Sequence, residues 1–473
     1  MKTFLFYDIE TSGLNPAFDQ ILTFASIRTD LELREIDRTE VVIALRPDLI
    51  PSPGAFITHR LTPEVLDQGL CEYQGVGHIH QLLNTPETIS IGYNSLGFDD
   101  NFLRFSFYRN LLDPYSHQYA NGCGRMDLLP IATLYRIFRP DGIVWPLSDD
   151  KPSMRLELIS EQNNLIQSGR AHDAMTDVEA TLALARRLAG QTRMWEYCLD
   201  FFDKKNDQAR LAGIDEIFQS IFGRHRLGIM VSLQFGSDLM YMAPVLSLGH
   251  STPYANQSLW LRLDREITLP FSPESDKGPF VIRKRYGEAK IVLPCLDRFW
   301  NRLQPDQRDL CQGNINLLEE NQDQFQRLVI HHREFKYPFV QDLDLDASLY
   351  QEGFFSRAEK REMESFHKAA DNKKMTVCKR MDSPRVRGLA ERIMMRNFSE
   401  SATAELKADH AGYIQRLCSL PGTRPVVGYK NDIKFTWDQA RDELAAVRAD
   451  QDLDAEQKDI LDWLELHLDS LFG

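Results

Sequence analysis

The first 190 residues alternate short apolar runs with segments of helical spacing. Residues 4–7 predict a buried strand that ends at a Thr11-Ser12-Gly13 turn. Further strands are expected at 21–28, 41–45 and 88–94, and helices at 99–110 and 173–189. Strands and helices mixed in this way are typical of an α/β domain.

The middle of the chain, residues 194–342, has a different pattern. Short β-like runs are separated there by Gly, Pro, Asn and Ser, which predicts a small β-rich, barrel-like domain. The runs lie at 228–234, 239–246, 259–263, 279–282 and 290–293. From residue 345 onward, apolar residues such as Ile460, Leu464 and Leu468 recur at helix-face intervals, so the last part is predicted to be helical.

Length and composition fit several folded domains. A chain of 473 residues exceeds one ordinary domain, and we predict three, at 1–190, 194–342 and 345–473. The net charge of −14 argues against a protein that coats nucleic acid over its whole surface. A local basic groove is compatible with that charge. The Arg-Lys-Arg-Tyr segment at 283–286 is a candidate part of a strand-binding channel, and a solvated charge run is the alternative.

The sequence also bears on cellular location. Seven cysteines are scattered without paired spacing, which indicates neither a zinc site nor a disulfide framework and fits a reducing cytoplasm. The N-terminus passes almost at once into charged residues, unlike a signal peptide. Since no apolar run approaches ~20 residues, we expect no membrane span and a cytoplasmic protein.

The first candidate motif is Asp8-Ile9-Glu10 at the end of the predicted first strand. Side chains at i and i+2 of a strand point to the same side, so Asp8 and Glu10 project together. Two adjacent carboxylates repel each other unless a divalent cation neutralises them. The alternative is an edge strand whose acids are simply solvated.

The second and third motifs carry further acids. Asp99 follows the apolar strand at 88–94 and can face the same cleft, although an ordinary helix N-cap would explain it as well. His172 stands five residues before Asp177, too far round for one helical face. We therefore expect His172 on the loop before the helix, with Asp177 in the first turn. An imidazole there suits proton transfer near neutral pH. A surface His beside a first-turn Asp is the alternative.

Together the three motifs are more specific than any one of them. Asp-x-Glu, then Phe-Asp, then His-x4-Asp, in this order, resemble the signature of the DEDDh 3′→5′ exonucleases. The resemblance implies a mixed five-stranded sheet flanked by helices, as in ribonuclease H. It also implies that Asp8, Glu10, Asp99 and Asp177 hold two Mg²⁺ ions, with Mn²⁺ as a substitute. His172 would take a proton from the attacking water.

Landmarks outside these motifs resemble the bacterial exodeoxyribonuclease I family over nearly the whole chain. They are Phe107-Tyr108-Arg109-Asn110, Arg125-Met126-Asp127, Ser153-Met154-Arg155-Leu156, Leu349-Tyr350-Gln351-Glu352-Gly353-Phe354-Phe355 and Arg396-Asn397-Phe398. The resemblance implies a ribonuclease H-like exonuclease domain, then an SH3-like β domain, then an α-helical C-terminal domain. It implies degradation of single-stranded DNA from the 3′ end to 5′-mononucleotides, in DNA repair and recombination.

The same resemblance suggests which residues bind the substrate and the partner. Glu10, Arg155, Arg104 and Tyr119 are the expected substrate contacts, with Tyr119 where a Trp would be usual. The chain would act as a monomer and dock the acidic C-terminal tail of the single-stranded DNA-binding protein. Exposed arginines such as Arg139 are candidates for that docking, unless they are merely solvated.

Two other functions stay open from the sequence. A 3′→5′ exoribonuclease or a proofreading exonuclease would use the same residues, but small members of those groups need only the first domain. A non-catalytic nucleic-acid-binding module is the third possibility. The retained acids and His172 argue against it, because a chain without catalysis has little reason to cluster carboxylates.

Overall fold

The structure is a computed structural model that describes residues 1–166, 172–271, 280–418, 423–449 and 452–472. The strands are β1 (Thr3–Thr11), β2 (Ile21–Thr29), β3 (Glu35–Val42), β4 (Thr88–Gly92), β5 (Gly124–Asp127), β6 (Leu147–Ser148), β7 (Lys151–Pro152), β8 (Glu216–Ser220), β9 (Gly223–Val231), β10 (Met242–His250), β11 (Gln257–Arg262), β12 (Val281–Arg285) and β13 (Ile291–Pro294).

The helices follow the same chain order. They are α1 (Pro53–His59), α2 (Pro63–Leu66), α3 (Glu72–Leu83), α4 (Asp99–Arg109), α5 (Leu128–Phe138), α6 (Leu156–Asn163), α7 (Ala174–Ala189), α8 (Thr192–Leu199), α9 (Lys204–Ala212), α10 (Asp297–Trp300), α11 (Pro305–Glu320), α12 (Gln322–Glu334), α13 (Arg357–Lys368), α14 (Asp371–Cys378), α15 (Pro384–Asn397), α16 (Ala404–Leu417), α17 (Trp437–Arg448) and α18 (Ala455–Phe472).

Strand β1 lies at the centre of a five-stranded sheet of order β3-β2-β1-β4-β5. It pairs antiparallel with β2 and parallel with β4, so the sheet is mixed, and the predicted α/β class is confirmed. Phe4 and Phe6 pack into the core that contains α5 and α7. Leu5 and Tyr7 point to the opposite core, which α3 and α4 cover. Burial on both faces explains why this strand is apolar at successive positions.

The third strand lies earlier than predicted. The apolar run at 41–45 indicated a strand there, whereas β3 covers Glu35–Val42. Most of its side chains are exposed because it is the edge strand, and its position is set by antiparallel pairing with β2 rather than by a buried apolar face. An edge of this kind leaves little hydrophobic signal in the sequence.

The middle region contains the expected sheet and more helix than predicted. Strands β9–β13 pair antiparallel in the order β12-β11-β10-β9-β13, with β8 added to β9. Helices α11 and α12 then cover one face, where Cys311 and Phe325 pack against Leu246 and Leu261. These helices follow the last predicted β-like run, at 290–293, and the sequence analysis did not predict them. Gln304 and Gln307 form a capping box at the start of α11.

The helical C-terminal part packs on the exonuclease sheet's flank. Trp463 of α18 lies 5.7 Å from Phe56 of α1 between ring centroids. Glu443 of α17 accepts hydrogen bonds from the N–H of Gly54 and the hydroxyl of Ser52 at the start of α1. Within the described ranges, no helix combines the length and apolar character needed to cross a membrane. The bounds of the three domains stay predictions.

Candidate active site

Strand β1 places two acids at one edge of the sheet. Asp8 and Glu10 alternate with Ile9, whose side chain is buried in the opposite core. Both carboxylates therefore project to the side that α7 covers, as the i, i+2 spacing predicts. The register with β2 shifts between Glu10 and Thr11, so the regular pairing ends just beyond the second acid.

Asp99 reaches the same edge from strand β4. Because β4 runs parallel to β1, both strands end at the same side of the sheet. The chain turns after β4 with Asn94 in the left-handed conformation (φ 63°), and Asp99 then opens α4. Asp99 is buried, and its carboxylate accepts a hydrogen bond from the backbone N–H of Ile9. This bond ties the acid of one strand end to the backbone of the other.

Asp127 holds the turn that delivers Asp99, a role the sequence analysis missed. Its carboxylate accepts from the backbone N–H groups of Asn94 at 2.9 Å, Leu96 at 3.1 Å and Leu129 at 3.0 Å. It thus fixes the 93–98 turn while capping α5. The available signal was an Asp directly after a strand and before a helix, which is an ordinary N-cap pattern.

The third motif lies as predicted at the start of α7. Asp173 caps the helix and accepts from the N–H of Thr176 at 3.1 Å, which places Asp177 in the first turn. His172 precedes the helix with φ 63°, and its side chain is exposed. Its backbone N–H donates to the Asp177 carboxylate, while the imidazole stays accessible. Residues 167–171 lie outside the described part of the chain.

These residues fit a divalent-cation centre. Asp8, Glu10 and Asp177 each offer a ligand atom, and these atoms all lie within 4.8 Å of one another. Burial is the main cause that raises the pKa of Asp8, and the charge of Asp99 is the next largest. Carboxylate oxygens clustered in this way are what Mg²⁺ and similar hard cations bind.

The charges on these acids oppose one another. Burial, together with the nearby charges of Asp177 and Asp99, raises the pKa of Glu10 to about 9. Burial likewise raises the pKa of Asp99 to about 8 and that of Asp177 to about 6, although His172 lowers the latter. Such shifts mark a site that favours either protons or metal cations over free carboxylates.

The residues expected to contact the DNA strand fall into two groups. Arg155 is exposed at the start of α6 and is bonded to Glu157, whose charge raises the pKa of Asp177. Tyr119 is 66% exposed and lines a cleft of about 280 Å³ together with Tyr115, Phe354 and others. Both side chains are therefore free to meet a ligand near the carboxylates or along the adjoining surface.

Arg104 and Lys284 are both buried in ion pairs. The Arg104 side chain is 5% exposed and lies 2.5 Å from Asp100, so it is committed to a buried ion pair. Lys284 of the 283–286 segment is 1% exposed and lies 2.7 Å from Asp207. A buried, paired cation cannot contact phosphate without leaving its partner uncompensated. Of that segment, Arg285 keeps a partly exposed side chain.

Comparison with known proteins matches both ends of the chain to family models. The model described as "Exonuclease" covers residues 5–185, and "Exonuclease I C-terminal domain" covers residues 343–471. Exodeoxyribonuclease I of Escherichia coli (strain K12) is 33% identical over 390 residues, which is 76% of this chain and 78% of that protein.

Solved structures agree over the full length. The zinc-ion-bound form of the E. coli ExoI–ssDNA complex matches 100% of both chains, with a TM-score of 0.84 and 26% identity. Exonuclease I from Methylocaldum szegediense also matches over 100% of both chains, with a TM-score of 0.80 and 25% identity. Sheet, carboxylates and His172 together define an exonuclease of the DEDDh class. More narrowly, the chain belongs to the exodeoxyribonuclease I family.

Loss of one acid should disable the centre without unfolding the chain. We expect Asp8→Ala or Asp177→Ala to abolish turnover and weaken Mn²⁺ binding, because each carboxylate charge helps to hold the cations. A chelator should stop the parent enzyme, and added Mg²⁺ or Mn²⁺ should restore it. Full turnover by either variant would refute the site.

The pH dependence gives an independent check of the same centre. Protons compete with cations because the pKa of Glu10 is raised to about 9 and that of Asp99 to about 8. The Mg²⁺ concentration for half-maximal turnover should therefore fall as the pH rises from about 6 to about 9. A half-maximal Mg²⁺ concentration that does not change over this pH range would contradict the electrostatic explanation. Turnover at saturating Mg²⁺ is measured in parallel to separate this effect from other titrations.

Proposed function

We propose that this protein is a divalent-cation-dependent exonuclease that degrades single-stranded DNA from the 3′ end and releases 5′-mononucleotides. The carboxylate cluster of Asp8, Glu10 and Asp177 carries the proposal. It lies in a chain that matches the E. coli ExoI–ssDNA complex over its full length. The match also favours DNA over the exoribonuclease and proofreading alternatives, since those need only an exonuclease domain.

Each residue of the candidate site would have its own role in the hydrolysis of the phosphodiester. Asp8, Glu10, Asp99 and Asp177 would hold two Mg²⁺ ions, with Mn²⁺ as a substitute. When bound, such ions supply positive charge for the attacking and leaving oxygens of the phosphodiester. Glu10 would also contact the terminal nucleotide. His172 would accept the proton of the attacking water, because its imidazole is exposed beside Asp177.

Substrate binding would use the accessible groups around this centre. Arg155 can exchange its bond to Glu157 for a phosphate oxygen, since a guanidinium binds either anion well. Tyr119 can stack on a base, because every base has a π-face and this ring is exposed. We further propose that the chain acts as a monomer; Asp8, Glu10, Asp99, His172 and Asp177 meet within one chain, so the centre requires no residue from a second copy.

Strand polarity and substrate class can be tested together. A single strand labelled at its 5′ end should shorten progressively from the 3′ end, with 5′-mononucleotides as the product. Blunt duplex DNA and an RNA strand of the same sequence should be degraded much more slowly. Shortening from the 5′ terminus would refute the polarity, and equal rates on RNA would favour the exoribonuclease alternative.

Replacing His172 should lower turnover without lowering the affinity for DNA or for metal. His172→Ala removes the proton acceptor but no negative charge, so affinity for single-stranded DNA and for Mn²⁺ should be kept. Turnover should fall on the order of 10²–10⁴-fold, the usual contribution of a positioned general base. The rise of the parent rate with pH should be lost or altered in the variant.

A matched control is available on helix α3, where His78 is exposed. His78→Ala should leave turnover and its pH profile unchanged. Near-normal turnover in His172→Ala, with the same pH dependence as the parent, would make the imidazole a bystander.

We also propose that the protein docks the acidic C-terminal tail of the single-stranded DNA-binding protein. Arg139, exposed at the end of α5, is a candidate contact. Titration of a tail peptide should give chemical-shift or heat changes in the micromolar to millimolar range, weakened in Arg139→Glu. Arg34→Glu, on an exposed loop of the sheet edge, is the charge-matched control. No response of the parent protein would overturn the proposal.

A further inference from the structure

A buried cluster of charges lies directly behind the metal ligand Asp99. Asp100, the next residue of α4, lies 2.5 Å from the guanidinium of Arg104 and is also paired with Arg125 of β5. His117 adds a contact at 3.4 Å from its Nε2. The two arginines therefore converge on a single carboxylate in the first turn of the helix that carries Asp99.

A residue from the middle region completes this cluster. Glu288, on the turn between β12 and β13, is paired with Arg125 and lies 3.9 Å from Arg104. With Glu288 present, the two buried guanidinium groups face two carboxylates, and the partly exposed Arg285 adds a third cation 3.8 Å from Glu288. Without it, Asp100 alone would face both cations in a buried setting, where uncompensated charge is costly.

The turn that carries Glu288 is itself held rigid. Asp207 accepts from the backbone N–H of Gly287 at 2.9 Å and from Lys284 Nζ at 2.7 Å. Lys284 Nζ also donates to the backbone carbonyl of Glu288 at 3.3 Å. The buried Lys284–Asp207 pair therefore fixes the backbone from which the Glu288 side chain reaches the exonuclease sheet.

We propose that Glu288 is a positioning residue for the metal ligand Asp99, acting across the region boundary through Arg125 and Asp100. The proposal rests on the proposed exonuclease function. Asp99 and Asp100 are consecutive in the first turn of α4, so a shift of the Asp100 anchor moves the ligand as well. A metal site tolerates displacements of only about 0.5 Å, and misplacement by about 1 Å costs on the order of 10²-fold in rate.

The test uses Glu288→Gln, which keeps the shape and removes the charge. Mn²⁺ binding, followed by calorimetry without substrate, should weaken several-fold. Turnover should fall on the order of 10-fold both on single-stranded DNA and on a nitrophenyl ester of thymidine 5′-monophosphate, with little change in the KM for DNA. The small ester reports on the catalytic centre alone, because it is too short to reach a strand-binding surface.

The matched control breaks a different contact between the same two regions. Lys151 and Asp238 form an exposed pair at 3.0 Å, with side chains 62% and 76% accessible. Asp238→Asn should leave Mn²⁺ affinity and both turnover rates within about twofold of the parent, since exposed pairs contribute little. The thermal unfolding midpoint should be lower for Glu288→Gln than for Asp238→Asn, because a buried guanidinium loses its partner, so Mn²⁺ affinity and turnover are compared at a temperature at which both variants are fully folded.

A double variant tests the route of the effect. If Glu288 acts through Arg125, Arg125→Gln combined with Glu288→Gln should lose no more Mn²⁺ affinity than Arg125→Gln alone. Unchanged Mn²⁺ affinity in Glu288→Gln would overturn the proposal, as would a loss confined to DNA turnover, which indicates a strand contact instead. Failure of the proposed function is distinguishable, because the parent itself would then not degrade single-stranded DNA.

Discussion

Mutual repulsion among carboxylates is the constraint on which this architecture depends. Asp8, Glu10, Asp99 and Asp177 are held close together although burial and their neighbours raise the pKa of each. Such an arrangement persists only when the surrounding structure fixes every acid separately. Here three elements do so, namely a buried central strand, the start of α4 and the start of α7.

The C-terminal helices contribute a second set of fixed charges. Arg396 of α15 lies 2.6 Å from Asp48 in the loop beyond β3 and 2.6 Å from Asp346, and all three side chains are buried. Ion pairs of this kind add little net stability, because desolvation offsets their attraction. Their effect is on geometry, since moving these helices apart from the loop would leave Arg396 or Asp48 buried without its partner. Buried pairs therefore set the domain arrangement around the site, as Glu288 does on the other side.

The sequence predicted those parts whose signal is local. Strand spacing identified Asp8 and Glu10, and the five-residue spacing from His172 placed Asp177 in the first turn of a helix. Strand β3 was misplaced because an exposed edge has no apolar period, and Asp127 resembled an ordinary cap. Glu288 could not be found at all. Its partner Arg125 lies 163 positions away in the chain, and no local pattern records such a pairing.

The sequence also does not show which charged side chains are exposed. The exposed charges determine how an acidic protein can bind DNA. Arg104 and Lys284 looked like strand contacts, yet both compensate buried acids. A phosphate group can instead be bound by cations whose side chains stay exposed, such as Arg155. Four ionised carboxylates would repel the strand, whereas bound divalent cations would offset their charge. Cations bound at the carboxylate cluster would therefore serve both the chemistry and the approach of the negatively charged 3′ end.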